Sequence, residues 1–189
     1  MSKAALIVVD VQRDFCQGGA LAAADTLSLL QALCQCIDQA RSKGALIVFT
    51  RDWHPVNHSS FQVNGGIWPV HCVAGTRGAE IMPKLGVQPG DLVVDKGVSP
   101  EGQGYSGFEE TGLAQRLKSL QVERLGVSGI ATEYCVKATA LDALRAGFPT
   151  AVLTDVIRAV KPEDTPKILQ ELATSSVKTQ SSDEWLRTL

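Results

Sequence analysis

No stretch of this chain comes near the roughly 20 consecutive apolar residues that a membrane-spanning helix requires. Nor does it have a basic run able to neutralise several phosphates. Lysine and arginine total 18 against 20 acidic residues, a net charge of -2. Neither a nucleic-acid partner nor a membrane is therefore expected. The five cysteines are an odd number without the spacing of a disulfide framework, as in chains kept reduced in the cytoplasm. The apolar run Ala4 to Val9 is too short for a secretory signal and stops at Asp10, so a cytoplasmic location is expected. Linkers, internal repeats and low-complexity segments are missing as well. Residues 1–189 are expected to form one domain, long enough to bury a core without disulfides or a structural metal.

What is present is an alternation. Ala4–Val11 is a continuous branched apolar run, as in a strand buried on both faces. Asp25–Ser42 has helical spacing, with Asp25 or Thr26 as N-cap and Gly44 as stop. Further strands are predicted at 45–50, 91–95, 124–128, 150–154 and 176–179, and helices at 108–119, 132–146 and 162–174. Such alternation implies a three-layer α/β/α fold around a mostly parallel sheet. The long irregular stretch 51–90 is rich in Trp, Phe and His, which suits a functional loop better than disorder. Ligands of open parallel sheets bind beyond the carboxyl ends of the strands. Asp10, Asp52, Lys96 and Gly129-Ile130-Ala131 all fall at or just past such ends.

Cys135 is predicted in the first turn of the helix opened by Thr132, where the positive helix end favours a thiolate and free N–H groups can face an oxyanion. A buried, inert cysteine is the alternative reading of the same position. Asp10 ends an apolar strand and Lys96 follows another, so they could serve a thiol as proton acceptor and cation, or simply form an ion pair. All three histidines, His54, His58 and His71, fall in the one long loop. Asp52 and His54 are two residues apart at a strand end and share a direction. With His71 they make a carboxylate-and-two-imidazole metal set, open to water and substrate, of a kind suited to zinc, iron or manganese. His58 is either a fourth ligand or a supporting residue beside the site.

The ordered motifs are Asp10-Val11-Gln12-Arg13-Asp14-Phe15, Arg51-Asp52-Trp53-His54-Pro55, Trp68-Pro69-Val70-His71-Cys72, Lys96-Gly97, Tyr105-Ser106-Gly107-Phe108 and Gly129-Ile130-Ala131-Thr132-Glu133-Tyr134-Cys135-Val136. Together they resemble the nicotinamidase (pyrazinamidase) family of the isochorismatase-like cysteine hydrolases, over Ala4 to about Ser176. The resemblance implies a triad of Asp10, Lys96 and Cys135 and one divalent metal ion held by Asp52, His54 and His71. It implies a cis Ile130-Ala131 peptide, with the Ala131 and Cys135 N–H groups as oxyanion hole. Phe15 and Trp68 would sandwich a pyridine ring, and Tyr105 would close the pocket. The implied substrate is nicotinamide, with pyrazinamide as a second, in NAD salvage; a homo-oligomer is left open.

Two departures stand out: Gly104 occupies a position often acidic in the family, and the segment between His58 and Trp68 is short. Rival chemistries in the same superfamily are hydrolysis of ureido or carbamoyl amides and of the isochorismate vinyl ether. Cys135 together with Asp52-x-His54 disfavours them, since the vinyl ether needs no thiol and none of these substrates carries a pyridine nitrogen. A non-catalytic module would have lost a triad member, and a thiol redox protein would carry a second cysteine near Cys135.

Overall fold

The computed structural model describes residues 3–189. Its strands are β1 (Lys3–Val9), β2 (Leu46–Asp52), β3 (Leu92–Lys96), β4 (Val122–Ile130), β5 (Thr150–Arg158) and β6 (Lys178–Gln180). The helices are α1 (Thr26–Ser42), α2 (Leu113–Ser119), α3 (Lys137–Arg145), α4 (Thr165–Thr174) and α5 (Ser182–Leu186). The strands form one six-stranded sheet in the order β3-β2-β1-β4-β5-β6. Every pairing is parallel, so the mostly parallel sheet expected from the sequence is parallel throughout.

The central strand shows why the sequence had to be apolar there. Ala4, Leu6 and Val8 pack with α1 and α5, while Ala5, Ile7 and Val9 pack with α2, α3 and α4. Helices thus cover both faces, and period-two alternation carries apolar side chains in both directions. On α1, Leu29, Leu30, Leu33, Cys36, Ile37 and Ala40 recur at helical spacing and are buried. Each fully buried Leu or Ile stabilises the fold by about 1.5–3 kcal/mol. Cys36 faces this core while Cys34 is half-buried, as expected of two positions on opposite helix faces. Among the described residues no helix is long and apolar enough to cross a membrane.

Several boundaries differ from the sequence expectation. Asp25 is the residue before α1, but its backbone is left-handed (φ 48) and its side chain caps no helix N–H. Its carboxylate instead meets the Ser28 hydroxyl and Arg158. The helix expected over 108–119 starts only at Leu113. Gly107 N–H donates to Thr139 Oγ1 at 3.0 Å, and Gly112 turns left-handed (φ 70), so the chain between them is a turn. The helix expected over 132–146 opens as a π-helical turn, Thr132–Val136, before α3 begins. There the Val136 N–H reaches back five residues, to the Ala131 carbonyl, at 3.1 Å. Helix α5 was not expected at all. Its signal was legible, because Ser181 and Glu184 form a reciprocal capping box.

Candidate active site

Strand register assembles the charged centre. Asp52 and Lys96 end β2 and β3 and are direct partners across that pair. Val9 pairs with Thr50, so Asp10, the next residue after β1, arrives beside them. Asp10 leaves the strand left-handed (φ 50). Its N–H donates to the Thr50 carbonyl at 3.2 Å, and the Thr50 hydroxyl donates to its Oδ1 at 2.6 Å. Lys96 is fully enclosed, and its ammonium meets Asp10 Oδ2 at 2.8 Å and Asp52 Oδ1 at 2.5 Å. It also donates to the Gly104 carbonyl at 2.8 Å and reaches Cys135 Sγ at 3.4 Å. The π-helical turn projects Cys135 over this group, its Sγ within 4.8 Å of a carboxylate oxygen of Asp10. The three residues that the sequence marked for acid–base and nucleophilic chemistry therefore converge.

The electrostatics differ from the sequence expectation at one point. A thiolate favoured by a helix end was anticipated at Cys135. Burial instead drives its pKa well above the usual thiol value; Lys96 pulls it down, but Asp10 and Asp52 add to the rise. The resting group is a neutral thiol, because at a buried site beside two carboxylates the cost of a third negative charge exceeds the help of one cation. Burial also raises the Asp10 carboxyl to about 6, against the opposing pull of Lys96. At Asp52 burial works the same way, but Lys96 and His54 outweigh it and hold the group well below the usual range. Lys96 is raised, since Asp10 and Asp52 overcome its burial. Neutral pH thus leaves Asp10 ionised beside a thiol that still holds its proton.

Asp52, His54 and His71 each offer a ligand atom, all within 4.8 Å of one another, and all three residues are buried. The ring orientations fit a metal ion. His54 Nδ1 lies 2.9 Å from the Gly97 carbonyl and His71 Nδ1 2.7 Å from the Pro69 carbonyl. Those carbonyls accept the Nδ1 protons, which leaves the Nε2 lone pairs turned toward Asp52 Oδ2, at 3.4 Å and 3.9 Å. Burial lowers the His71 pKa, and only a neutral imidazole binds a cation. His58 lies outside this converging trio but stacks on His54, ring centroids 4.0 Å apart. Its Nε2 is buried without a hydrogen-bond partner among the described residues, and burial pushes its pKa down to about 4.

Above these groups opens a pocket of about 490 Å³, its mouth included, lined by Asp52, His54, His71 and Cys135. Phe15, Trp68, Tyr105, Ile130 and Ala131, the residues expected to contact substrate, line it too. The Ile130-Ala131 peptide is cis. The Trp68 indole N–H donates to Tyr105 Oη at 3.1 Å, and Phe15 tilts against His71 at 5.4 Å between centroids.

Sequence reasoning passed over several residues here. Leu21, Tyr134 and Val160 also line the pocket, and nothing in their local spacing marked them. Thr50 and Gln12 support the charged groups instead. Gln12 is wholly buried; its Nε2 donates to the Asp52 and Ala79 carbonyls, and its Oε1 accepts the Asp52 N–H. An amide three residues beyond the end of the apolar strand β1 was the signal for Gln12. The departure at Gly104 also has a physical cause. Its backbone is left-handed (φ +63), and a Cβ there would lie 2.5 Å from the Gly97 Cα. A side chain would push its carbonyl off the Lys96 ammonium.

The chain is similar over nearly its whole length to known proteins. A nicotinamidase of Escherichia coli (strain K12) is 34% identical over 211 residues, covering 100% of this chain and 99% of that protein. A crystal structure of a Pyrococcus horikoshii pyrazinamidase in complex with zinc superposes with a TM-score of 0.91 at 45% identity, covering 95% of this chain and 99% of that one. The structure of PnC1 from L. infantum in complex with nicotinate gives 0.90 at 35% identity, covering 96% and 94%. The isochorismatase domain model matches residues 4–184. Nearly the whole described chain, the open parallel sheet and the residues at its carboxyl edge are covered by that match, and the chain belongs to the isochorismatase family.

Proposed function

We propose that this chain hydrolyses nicotinamide, and pyrazinamide with it, to the ring acid and ammonia, as a single cytoplasmic domain serving NAD salvage. One observation carries the reading. A thiol flanked by a carboxylate and an ammonium opens into the same pocket as a convergent Asp-His-His cluster. Only a substrate with both an amide and a ring donor atom uses both halves. The relatives similar to this chain include a nicotinamidase and a pyrazinamidase, which supports the choice of amide.

The steps follow from the resting charges. Asp10 takes the Cys135 proton as the sulfur bonds to the amide carbon, so no free thiolate need accumulate. Lys96 balances the charge passing between thiol and carboxylate. On this reading the N–H groups of Ala131 and Cys135 donate to the oxyanion. Asp10 then returns the proton to the departing ammonia as the carbon–nitrogen bond breaks, leaving a thioester. Water, deprotonated by Asp10, cleaves the thioester, releases the ring acid and restores the thiol. A divalent ion held by Asp52, His54 and His71 would supply a Lewis-acidic position for the ring nitrogen. Zinc heads the choice over iron and manganese, given the zinc complex of the similar pyrazinamidase. Phe15 and Trp68 hold the ring faces and exclude water.

Ammonia release measured across nicotinamide, pyrazinamide, benzamide and an N-carbamoyl amino acid tests the assignment. Nicotinamide and pyrazinamide should lead by about 10²-fold or more. Preference for the carbamoyl compound would overturn the reading. The pH profile is a second check. Asp10 must be ionised to accept the proton, so kcat/KM should be full above its pKa of about 6 and fall as pH drops through it. Thr50→Val removes a hydrogen bond that lowers this pKa, so the acid limb should move upward; a downward shift would separate Asp10 from the limb.

A further inference from the structure

Glu133 is part of the π-helical turn that carries Cys135, yet its carboxylate bonds elsewhere. Its Oε2 accepts the Val160 N–H at 3.3 Å and its Oε1 accepts the Lys161 N–H at 3.0 Å. Each oxygen serves one of two successive donors, and charged acceptors make the stronger hydrogen bonds. Residues 159–161 are an irregular link between β5 and the short turn at Pro162–Asp164, so no ladder holds them. Val160 nevertheless lines the substrate pocket. A backbone connection continues from there. The Ala159 carbonyl accepts the Ala24 N–H at 3.4 Å, and the neighbouring Ala23 N–H donates to the Phe15 carbonyl at 3.0 Å. Phe15 is the proposed ring-stacking residue. The nucleophile's own turn is thus tied through one carboxylate to two parts of the pocket wall.

We propose that Glu133 is a positioning residue that holds Val160 against the pocket and thereby sets how closely that wall grips the substrate ring in front of Cys135. The inference rests on the nicotinamide reading, and it goes beyond the groups that touch the reacting atoms. The physical need is clear. Contact attraction falls by about a quarter to a half when a wall retreats by about 0.5–1 Å, so a loosened wall weakens ring binding and raises KM. A pocket wall made of a free link would not keep that contact.

The test compares Glu133→Ala and Glu133→Gln with the unaltered protein in three readouts. Hydrogen exchange reports the clamp directly: the Val160 and Lys161 amides should exchange about tenfold faster in Glu133→Ala, and by an intermediate factor in Glu133→Gln, which keeps one acceptor oxygen. In steady-state kinetics the KM for nicotinamide should rise about tenfold in Glu133→Ala, while kcat changes less than about threefold. Alkylation of Cys135 by iodoacetamide, read by mass spectrometry at that residue, should stay within about twofold, because the triad is untouched. Adding Glu133→Ala to Val160→Ala should raise KM no further, since the carboxylate acts through that side chain. Unchanged exchange at Val160 and Lys161 would overturn the clamp. A fall in alkylation and kcat at constant KM would overturn the positioning role and assign Glu133 to the nucleophile's turn instead. An unaltered protein that fails to hydrolyse nicotinamide would sink the functional reading separately. The exchange measurement would still decide the clamp.

Discussion

Cys135→Ala should lower turnover of nicotinamide by about 10⁴-fold or more while the protein stays folded and still binds the amide. The sulfur is the atom that bonds to the amide carbon, and no other thiol reaches the Asp10–Lys96 pair among the described residues. The change removes one buried atom without stranding a charge, so the melting temperature should move little. Binding is readable from quenching of Trp68 fluorescence, since that indole lines the pocket. Asp10→Asn should be about as damaging. The amide keeps the shape that accepts from Thr50, and Lys96 retains the Asp52 carboxylate, so the ammonium is not left unpaired. The double variant should be no worse than either single one, because proton transfer and attack are parts of one event. Additive losses would detach Asp10 from that event. Lys96 is the poorer target for this question. Removing it leaves two buried carboxylates facing each other, a loss of about 3–5 kcal/mol that would confuse folding with catalysis. Cys72→Ala is the control. Cys72 is fully buried and its thiol pKa is driven far up by burial and by Asp52 and Asp14, so most activity should survive.

Stripping metal should remove activity toward nicotinamide by about 10²-fold or more, and a divalent ion should restore it. The loss should depend on the substrate. Benzamide, which lacks a ring nitrogen, should be poor with or without metal, whereas nicotinamide should lose the advantage that its donor atom confers. His71→Ala should reproduce the stripped state. It takes away one converging Nε2 yet leaves the Asp10–Lys96–Cys135 geometry intact, so iodoacetamide should alkylate Cys135 at an unchanged rate. His58→Ala discriminates further. A loss equal to that of His71→Ala would make its unpartnered Nε2 a ligand, and a mild loss would leave it as the ring stacked on His54. Active, metal-free protein indifferent to chelators would reduce the cluster to a buried polar loop. The pyridine-specific reading would then lose its support, while the triad would not.

Sequence by itself determined the layered fold and most of the charged centre. Continuous branched runs such as Ala4–Val9 suit only strands covered on both faces, and they alternate with helical patterns, so a parallel sheet follows. Because such sheets work at their carboxyl edges, Asp10, Asp52 and Lys96 could be singled out by where their strands stop. The capping box at Ser181 and Glu184 also lies in the sequence, although helix α5 was not expected from it. Tertiary structure alone decided the remainder, because it depends on contacts between residues far apart in the chain. Whether Cys135 ionises is set by its burial beside Asp10 and Asp52, not by the helix pattern that follows it. Gly104 meets Gly97 because the one segment that follows β3 folds back on itself there. Thr50, Val160 and Glu133 act through hydrogen bonds or pocket walls that no local spacing encodes. Strand ends can be read from periodicity, but a protonation state or a pocket wall comes from the three-dimensional sum of desolvation, charge and packing.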